Sequence, residues 1–265
     1  NKNHADALLN LGFFYLKGNY VHKDIKKGIS YIMLSAKNKN ANAKTKANAD
    51  FVLGFLYLEG KYFNRDIKNA ISYFNKSSSF SNIYAKNNLG IIYKHGFGNE
   101  VQKSTENSFI YFNEAIILND RISMYNLAHL YIYENLMDEK IDDIIDLLIR
   151  SLKLNFSPSL GLLCLALSKK YKNDIVKINK YIFDKNTGIP RHFQLKINDF
   201  INKCLLYPSI FEKMKELYRT TDFLYEYPEM YLLTSTIDKR KTNQNQNNNL
   251  EKKNLTQSFY DGFGF

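Results

Sequence analysis

The 265-residue sequence contains no tryptophan, only four prolines and only two cysteines. Scarce proline favours long uninterrupted helices over many short strands, because proline disrupts both helix interiors and strand ladders. Cys164 and Cys204 form no CxxC pair, so the sequence supports neither a disulfide framework nor a zinc site. Both cysteines lie within apolar helical patterns, and we expect them to be buried thiols.

Long apolar runs are also missing. The longest near-continuous one extends from Leu160 to Leu167, far short of the roughly 20 residues that cross a bilayer. We therefore expect no membrane span in this segment. Because the chain begins with Asn1 rather than Met, we expect it to be part of a longer polypeptide.

Catalytic signatures are absent as well. The sequence has no GxSxG motif, P-loop or kinase signature, and none of its five histidines has a second ligand at metal-site spacing. A group of acids could in principle do acid–base chemistry, but it fits a solvated helix face better. We expect no enzyme activity, cofactor, metal or small-molecule substrate. The acids are Asp138, Glu139, Asp142, Asp143 and Asp146.

The charge is strongly positive but evenly spread. Lys and Arg number 37 against 26 Asp and Glu, which gives a net charge of +11. Nucleic-acid-binding proteins more often cluster Lys and Arg with aromatic residues on one face. Since the lysines here are spread along the whole sequence, we expect no nucleic-acid partner.

The main feature that is present is an internal repeat. An alanine is followed by Leu-Gly, a tyrosine, a glycine, a polar residue and a second tyrosine, and the leucines step by 42 and 36 residues (53−11 and 89−53). A fourth copy, around Leu127 and Ala128, and a fifth, around Leu160 and Gly161, are weaker. The first three copies are Ala7, Leu11, Gly12, Tyr15, Gly18, Asp24, Tyr31; Ala49, Leu53, Gly54, Tyr57, Gly60, Asp66, Tyr73; and Ala85, Leu89, Gly90, Tyr93, Gly96, Ser104, Tyr111.

Each copy predicts a helix–turn–helix hairpin. Ala7, Leu11 and Tyr15 lie four residues apart, on one stripe of a helix. Gly12 leaves room for a neighbouring helix, and Gly18 can end the first helix with a positive φ. Asp24 can then cap the second helix. A hairpin of this kind cannot bury its own apolar stripe, so it stacks on its neighbours.

The pattern A-x-x-x-L-G-x-x-Y-x-x-G followed by V-x-x-D-x-x-K-x-x-x-Y resembles the Sel-1-like repeat, a relative of the tetratricopeptide repeat. The resemblance covers roughly residues 5 to 185. It implies an all-α fold, an α-solenoid of about five repeats, and a scaffold that recruits partners. One branch of the family consists of adaptor subunits of ubiquitin ligases in endoplasmic-reticulum quality control. Other members are signalling or secretion adaptors, some of them fused to protein kinases.

We expect three parts: a repeat solenoid over residues 1–187, a C-terminal helical cap over 188–237 and a disordered Lys/Asn/Gln-rich tail over 238–265. An amphipathic helix is predicted from Arg191 to Leu206. The tail ends in an aromatic and Gly-rich segment from Phe259 to Phe265. That segment either docks on a surface or belongs to an untied terminus.

In tetratricopeptide-type repeats the first helices line the concave surface, and this resemblance indicates candidate partner-binding positions beside Leu-Gly. Their lining is largely apolar, which fits a groove for a helix or an extended segment. The alternative is that curvature buries these side chains against one another. The candidates are Phe13, Lys17, Phe55, Glu59, Asn87, Ile91, Lys94, His95, His129 and Tyr133.

The leading hypothesis is a non-catalytic scaffold or adaptor that presents a superhelical groove to a protein or peptide. One alternative is an adaptor subunit of an endoplasmic-reticulum-associated degradation ubiquitin ligase. Another is the regulatory repeat region of a larger enzyme such as a protein kinase. We expect a cytoplasmic location, with the endoplasmic-reticulum lumen as the alternative.

Overall fold

A computed structural model describes residues 2–18, 20–60, 62, 64–97 and 99–206. Over these residues the fold is all-α, and its β-type pairing is limited to an isolated bridge between Phe97 and Val101. A short 3₁₀ turn, Lys185–Thr187, precedes the last helix. The helices are α1 Lys2–Lys17, α2 Ile25–Lys37, α3 Ala43–Glu59, α4 Ile67–Ser79, α5 Ile83–His95, α6 Thr105–Ile117, α7 Arg121–Tyr133, α8 Ile141–Lys153, α9 Ser159–Lys170, α10 Ile175–Phe183 and α11 Arg191–Leu206.

The helices pack as stacked hairpins, which confirms the predicted helical repeat solenoid. The chain divides between Leu130 and Tyr131, inside α7, into two compact units. In the first unit α1 packs on α2, α3 on α4 and α5 on α6, while α2 also packs on α3 and α4 on α5. In the second unit α8 packs on α9, and α11 packs on both α9 and α10.

The glycine of the Leu-Gly pair in each of the first three repeats lies at a close approach between the two helices of its hairpin. A Cβ atom at Gly12 would lie 2.9 Å from the carbonyl oxygen of Gly28 on α2. A Cβ atom at Gly90 would lie 2.6 Å from the ring of Phe112 on α6. Because real Cβ atoms do not approach neighbours this closely, the hairpins pack as they do only with glycine at these positions.

The turn residues act as the sequence predicts in three consecutive repeats. Gly18 ends α1 with a φ of 76°, a left-handed conformation that favours glycine. Asp24 then accepts a hydrogen bond from the backbone N–H of Lys27 at 3.0 Å and caps α2. Equivalent glycines end α3 and α5, and equivalent caps begin α4, α6 and α10. They are Gly60, Gly96, Asp66, Ser104 and Asp174.

The fourth copy departs from this pattern. Its aligned acid, Asp142, lies within the first turn of α8 rather than at the capping position. Lys140 occupies the N-cap and makes no side-chain capping bond. The Asp142 carboxylate instead accepts a hydrogen bond from Lys170 on α9 at 2.6 Å.

The two tyrosines of a repeat form a stacked pair that joins its helices. The ring centroids of Tyr15 and Tyr31 are 5.6 Å apart and their planes differ by 21°. The pairs in the second and third copies are stacked at nearly the same separation, and such stacking adds about 0.5–1.5 kcal/mol beyond area burial. These pairs are Tyr57–Tyr73 and Tyr93–Tyr111.

The predicted helix after the repeats is present as α11. Phe193, Ile197, Phe200 and Ile201 form its buried stripe, and the helix packs on both α9 and α10. Cys164 on α9 is a buried free thiol, as predicted. The predictions for residues 207–237 and for the tail over 238–265 lie outside the described residues.

Replacing the central repeat glycine tests the close approach. A Cβ atom at residue 54 would lie 2.8 Å from the Phe74 ring and 3.1 Å from the Ala70 carbonyl oxygen. Phe74 is fully buried and cannot retreat. We expect Gly54→Ala to lower the free energy of unfolding by about 1–3 kcal/mol, despite the roughly 1 kcal/mol that alanine gains in helix propensity. Urea unfolding measures the change.

The control for this experiment is Ser72→Ala, at an exposed position of α4. It should change the free energy of unfolding by no more than about 0.5 kcal/mol. A Gly54→Ala protein as stable as the wild type would show that the helices have room for a side chain.

Candidate protein-binding surface

Three of the predicted binding residues form an exposed row in the first unit. Lys17, Glu59 and His95 are the last residues of α1, α3 and α5, and all three side chains are exposed. They occupy the same position in three successive repeats, so the repeat itself places them in one row. We call these three residues the terminal row. Tyr133 holds the equivalent position at the end of α7, in the second unit.

Other predicted binding residues lie below the surface. Phe13 and Ile91 are 5% and 6% exposed, whereas Phe55 is half-buried. The polar candidates Asn87, Lys94 and His129 are fully buried. In this arrangement a partner can touch Phe55 and the terminal row, and the binding roles predicted for the buried residues stay predictions.

The buried polar candidates take part in a hydrogen-bond network between α5 and α7. The Asn126 amide donates to Oδ1 of Asn87 at 2.8 Å. Ser123 Oγ lies 3.1 Å from the same oxygen and 2.5 Å from Asp120 Oδ2. All four residues are nearly or fully buried. Buried polar groups of this kind fix the pairing of two elements, because leaving any one of them unsatisfied would be costly.

A lysine–histidine contact lies on the same two helices. Nζ of Lys94 lies 2.7 Å from Nδ1 of His129, and the His129 ring stacks on Tyr125 at a centroid distance of 6.1 Å. Lys94 is one of the predicted partner-binding residues. The structure directs its ammonium group into the protein, toward α7.

The side chains of the terminal row differ in charge from one repeat to the next. Partial desolvation lowers the pKa of the Lys17 ammonium, although the side chain remains exposed. Glu59 carries the opposite charge at the equivalent position of the next repeat, and His95 follows it in the third. The opposite charges of Lys17 and Glu59 favour a partner with a complementary pattern over a uniformly charged one.

The acidic residues singled out in the sequence form ordinary ion pairs in the second unit. The Asp138 carboxylate lies 3.0 Å from Lys169, and Asp142 lies 2.6 Å from Lys170. Both carboxylates are largely exposed, so each pair contributes little to stability. Over the part of the chain that the structure describes, no three His, Cys, Asp or Glu side chains come together as a metal site would require.

Asp50 on α3 is a buried carboxylate with an altered pKa. Desolvation raises its pKa to about 6, although Lys76 and Lys46 oppose the shift. Its side chain is 8% exposed. Folding therefore favours the protonated form, because the charged form loses its hydration.

The length and composition of the helices determine whether any of them could cross a membrane. Among the described residues, none of the helices combines the length and the apolar character that a bilayer crossing requires. The longest, α3, has 17 residues and contains both Asp50 and Lys46.

The stacked hairpins, their glycine contacts and their capped turns define a helical repeat protein. The Sel1 repeat model matches four segments, 5–40, 47–79, 83–120 and 121–139, and the span from 5 to 139 is about half of the chain. The chain therefore belongs to the Sel1 repeat family. Its fifth predicted copy lies beyond the matched segments. No curated protein matches this sequence.

Two solved structures share the fold. The chain is similar to a Sel1 repeat protein from Oxalobacter formigenes, with 18% identity and a TM-score of 0.56, over 76% of this chain and 74% of that one. It is also similar to a protective antigen present in uropathogenic Escherichia coli strains that displays an SLR fold. That match has 16% identity and a TM-score of 0.54, over 83% of this chain and 50% of that one.

The raised pKa of Asp50 predicts a pH-dependent stability. An unfolded aspartate titrates near pH 3.9, and the folded one near pH 6. Below pH 4 both states are protonated and the cost is absent. As the pH rises to about 6 the folded state holds the extra proton, so stability falls by up to about 3 kcal/mol. We expect Asp50→Asn to remove most of this fall in urea unfolding between pH 4 and 7.

Glu106→Gln serves as the control, since Glu106 is an exposed carboxylate of the same unit. This variant should follow the wild-type dependence on pH. If Asp50→Asn also followed it, the buried carboxylate would not be the source of the fall.

Proposed function

We propose that this chain is a non-catalytic interaction scaffold that binds a protein or peptide through the first helices of its repeats. Sel1 repeat proteins are generally scaffolds for protein–protein interaction. The terminal row is the observation that supports this role here. It brings one exposed side chain from each of three repeats into register, beside the half-buried Phe55.

The chemistry of this surface favours a polypeptide over a small molecule. The spacing between equivalent positions is set by stacked helices, which pack about 8–10 Å apart. A partner that contacts Lys17, Glu59 and His95 must therefore extend over roughly 20 Å, the length of a short helix or an extended segment. Phe55 supplies an aromatic anchor, and the charges orient the segment.

The two more specific functions, a quality-control ubiquitin-ligase adaptor and the regulatory region of an enzyme, stay hypotheses. A quality-control adaptor and the regulatory region of an enzyme would each use the same kind of surface. No contact in the described residues favours either of them over the general scaffold.

Reversing charges in the terminal row tests the proposal. The double variant Glu59→Lys/His95→Glu changes two exposed side chains and leaves the buried helix contacts in place. We expect it to reduce at least tenfold the capture of proteins that the wild type enriches from its native cell extract, because charge complementarity is lost. Quantitative mass spectrometry of the captured proteins measures the effect.

The matched control is Glu106→Lys/Asn113→Glu. Both positions are exposed on α6, outside the terminal row, and the net charge changes by the same amount as in the test variant. It should capture the wild-type set. Equal capture by both double variants, or no enrichment by the wild type over bare resin, would reject the terminal row as the binding surface.

A further inference from the structure

A second row of exposed side chains lies at the start of the second helix of each hairpin in the first unit. Lys23, Arg65 and Lys103 each precede the residue that caps α2, α4 or α6. All three side chains are exposed, and all three are basic. We call these three residues the basic row. The charge of the terminal row changes from one repeat to the next, whereas the basic row keeps the same sign in three successive repeats.

The turn holds each residue of the basic row in the same place. The backbone N–H of the following cap donates to the carbonyl oxygen of the tyrosine on the first helix in all three repeats. Each basic residue also lies against the glycine that follows the terminal-row residue, as Lys23 does against Gly18. The two rows are therefore neighbours, and a partner on one also meets the other. The N–H···O distances are 3.0 Å from Asp24 to Tyr15, 3.2 Å from Asp66 to Tyr57 and 2.8 Å from Ser104 to Tyr93.

Arg65 connects two consecutive turns. Its guanidinium Cζ lies 4.8 Å from the centroid of the Phe97 ring, which belongs to the turn of the third repeat. This contact orders the Arg65 side chain, so less rotamer freedom is lost when the guanidinium binds a carboxylate. Consecutive turns are thus in contact, at the spacing of about 8–10 Å that stacked helices impose.

The charges around the basic row determine which kind of anion it can accept. Lys26 and Lys68 add positive charge beside it in the first two repeats, whereas the third has Glu106 at this position. The carboxylates of Asp24 and Asp66 accept hydrogen bonds from their own helices and separate the basic groups. A nucleic-acid strand carries a phosphate about every 3.4 Å and would bring phosphates against these acids. Separate carboxylates at wider spacing fit the row better.

We propose that the basic row binds an extended acidic segment of a partner protein in which every third residue is a carboxylate. A polyproline II segment completes a turn in three residues and advances about 9 Å, so residues i, i+3 and i+6 lie on one side at the spacing of the turns. Its backbone is fully solvated, which suits an exposed edge formed by helix ends. This inference rests on the proposed function and specifies the chemistry of the partner.

Binding of synthetic peptides to the intact 265-residue chain tests the proposal. The probe is a Pro/Ser-rich peptide with glutamate at every third position, and the comparison peptide has the same composition with its glutamates adjacent. We expect the spaced peptide to bind at least fivefold more tightly in fluorescence anisotropy, with an affinity that falls as salt rises. The variant Lys23→Glu/Arg65→Glu/Lys103→Glu should weaken its binding at least tenfold, because every charge in the row is reversed.

The matched control is Lys37→Glu/Lys39→Glu/Lys44→Glu, which makes the same net charge change at exposed positions at the opposite end of the hairpins. It should bind the spaced peptide like the wild type. Equal weakening by both triple variants would show that net charge alone attracts the peptide, and would overturn the proposal. Tighter binding of a single-stranded RNA of equal charge, or no binding by the wild type up to about 1 mM peptide, would overturn it too. Circular dichroism of each variant confirms that its helices are intact.

The capture experiment on the terminal row separates a failure of this inference from a failure of the scaffold. If the wild type enriches native proteins and Glu59→Lys/His95→Glu loses them, the proposed function holds. A chain that behaves in this way but does not bind the spaced peptide would contradict the acidic partner alone.

Discussion

The close approach of two helices at the Leu-Gly position is the contact on which the rest of the structure depends. Gly12 faces Gly28 across the first hairpin, and a side chain on either would meet the backbone of the other. In the second and third repeats the partner of the glycine is Ala70 or Ser108. The Ser108 hydroxyl donates to the Gly90 carbonyl oxygen at 2.8 Å, so the polar residue also fits the tight contact. Small residues there let each pair of helices act as one rigid unit.

Stacking such units repeats every position at a fixed place on the surface. The repeat thereby converts a sequence position into a row of side chains, as it does for Lys17, Glu59 and His95. The same positions can also be varied one repeat at a time. The pair that is Leu8 and Leu34 in the first repeat becomes two oppositely ordered charge pairs in the next two.

The predictions from sequence agreed best with the structure where a residue's role depends only on its own turn of the chain. The turn glycines and the caps Asp24, Asp66 and Ser104 follow from the dihedral angle or the hydrogen bond that a single turn needs. The fourth repeat shows the limit of this reasoning. There the turn before α8 is built differently: Lys140 occupies the N-cap without a side-chain capping bond, and the Asp142 carboxylate binds Lys170 on a neighbouring helix.

By itself, the sequence determined the repeat length, the hairpin, the all-α fold and the family, because each depends on spacing within one hairpin. Which candidate residues a partner can reach was decided only by the tertiary structure. Phe13, Ile91 and His129 share a helix position with Phe55, which is half-buried in the second repeat. Their burial depends on side chains that are distant in sequence, such as the approach of Lys94 to His129 over 35 residues. Periodicity places a residue on a face of a helix, whereas only packing determines whether that face meets protein or solvent.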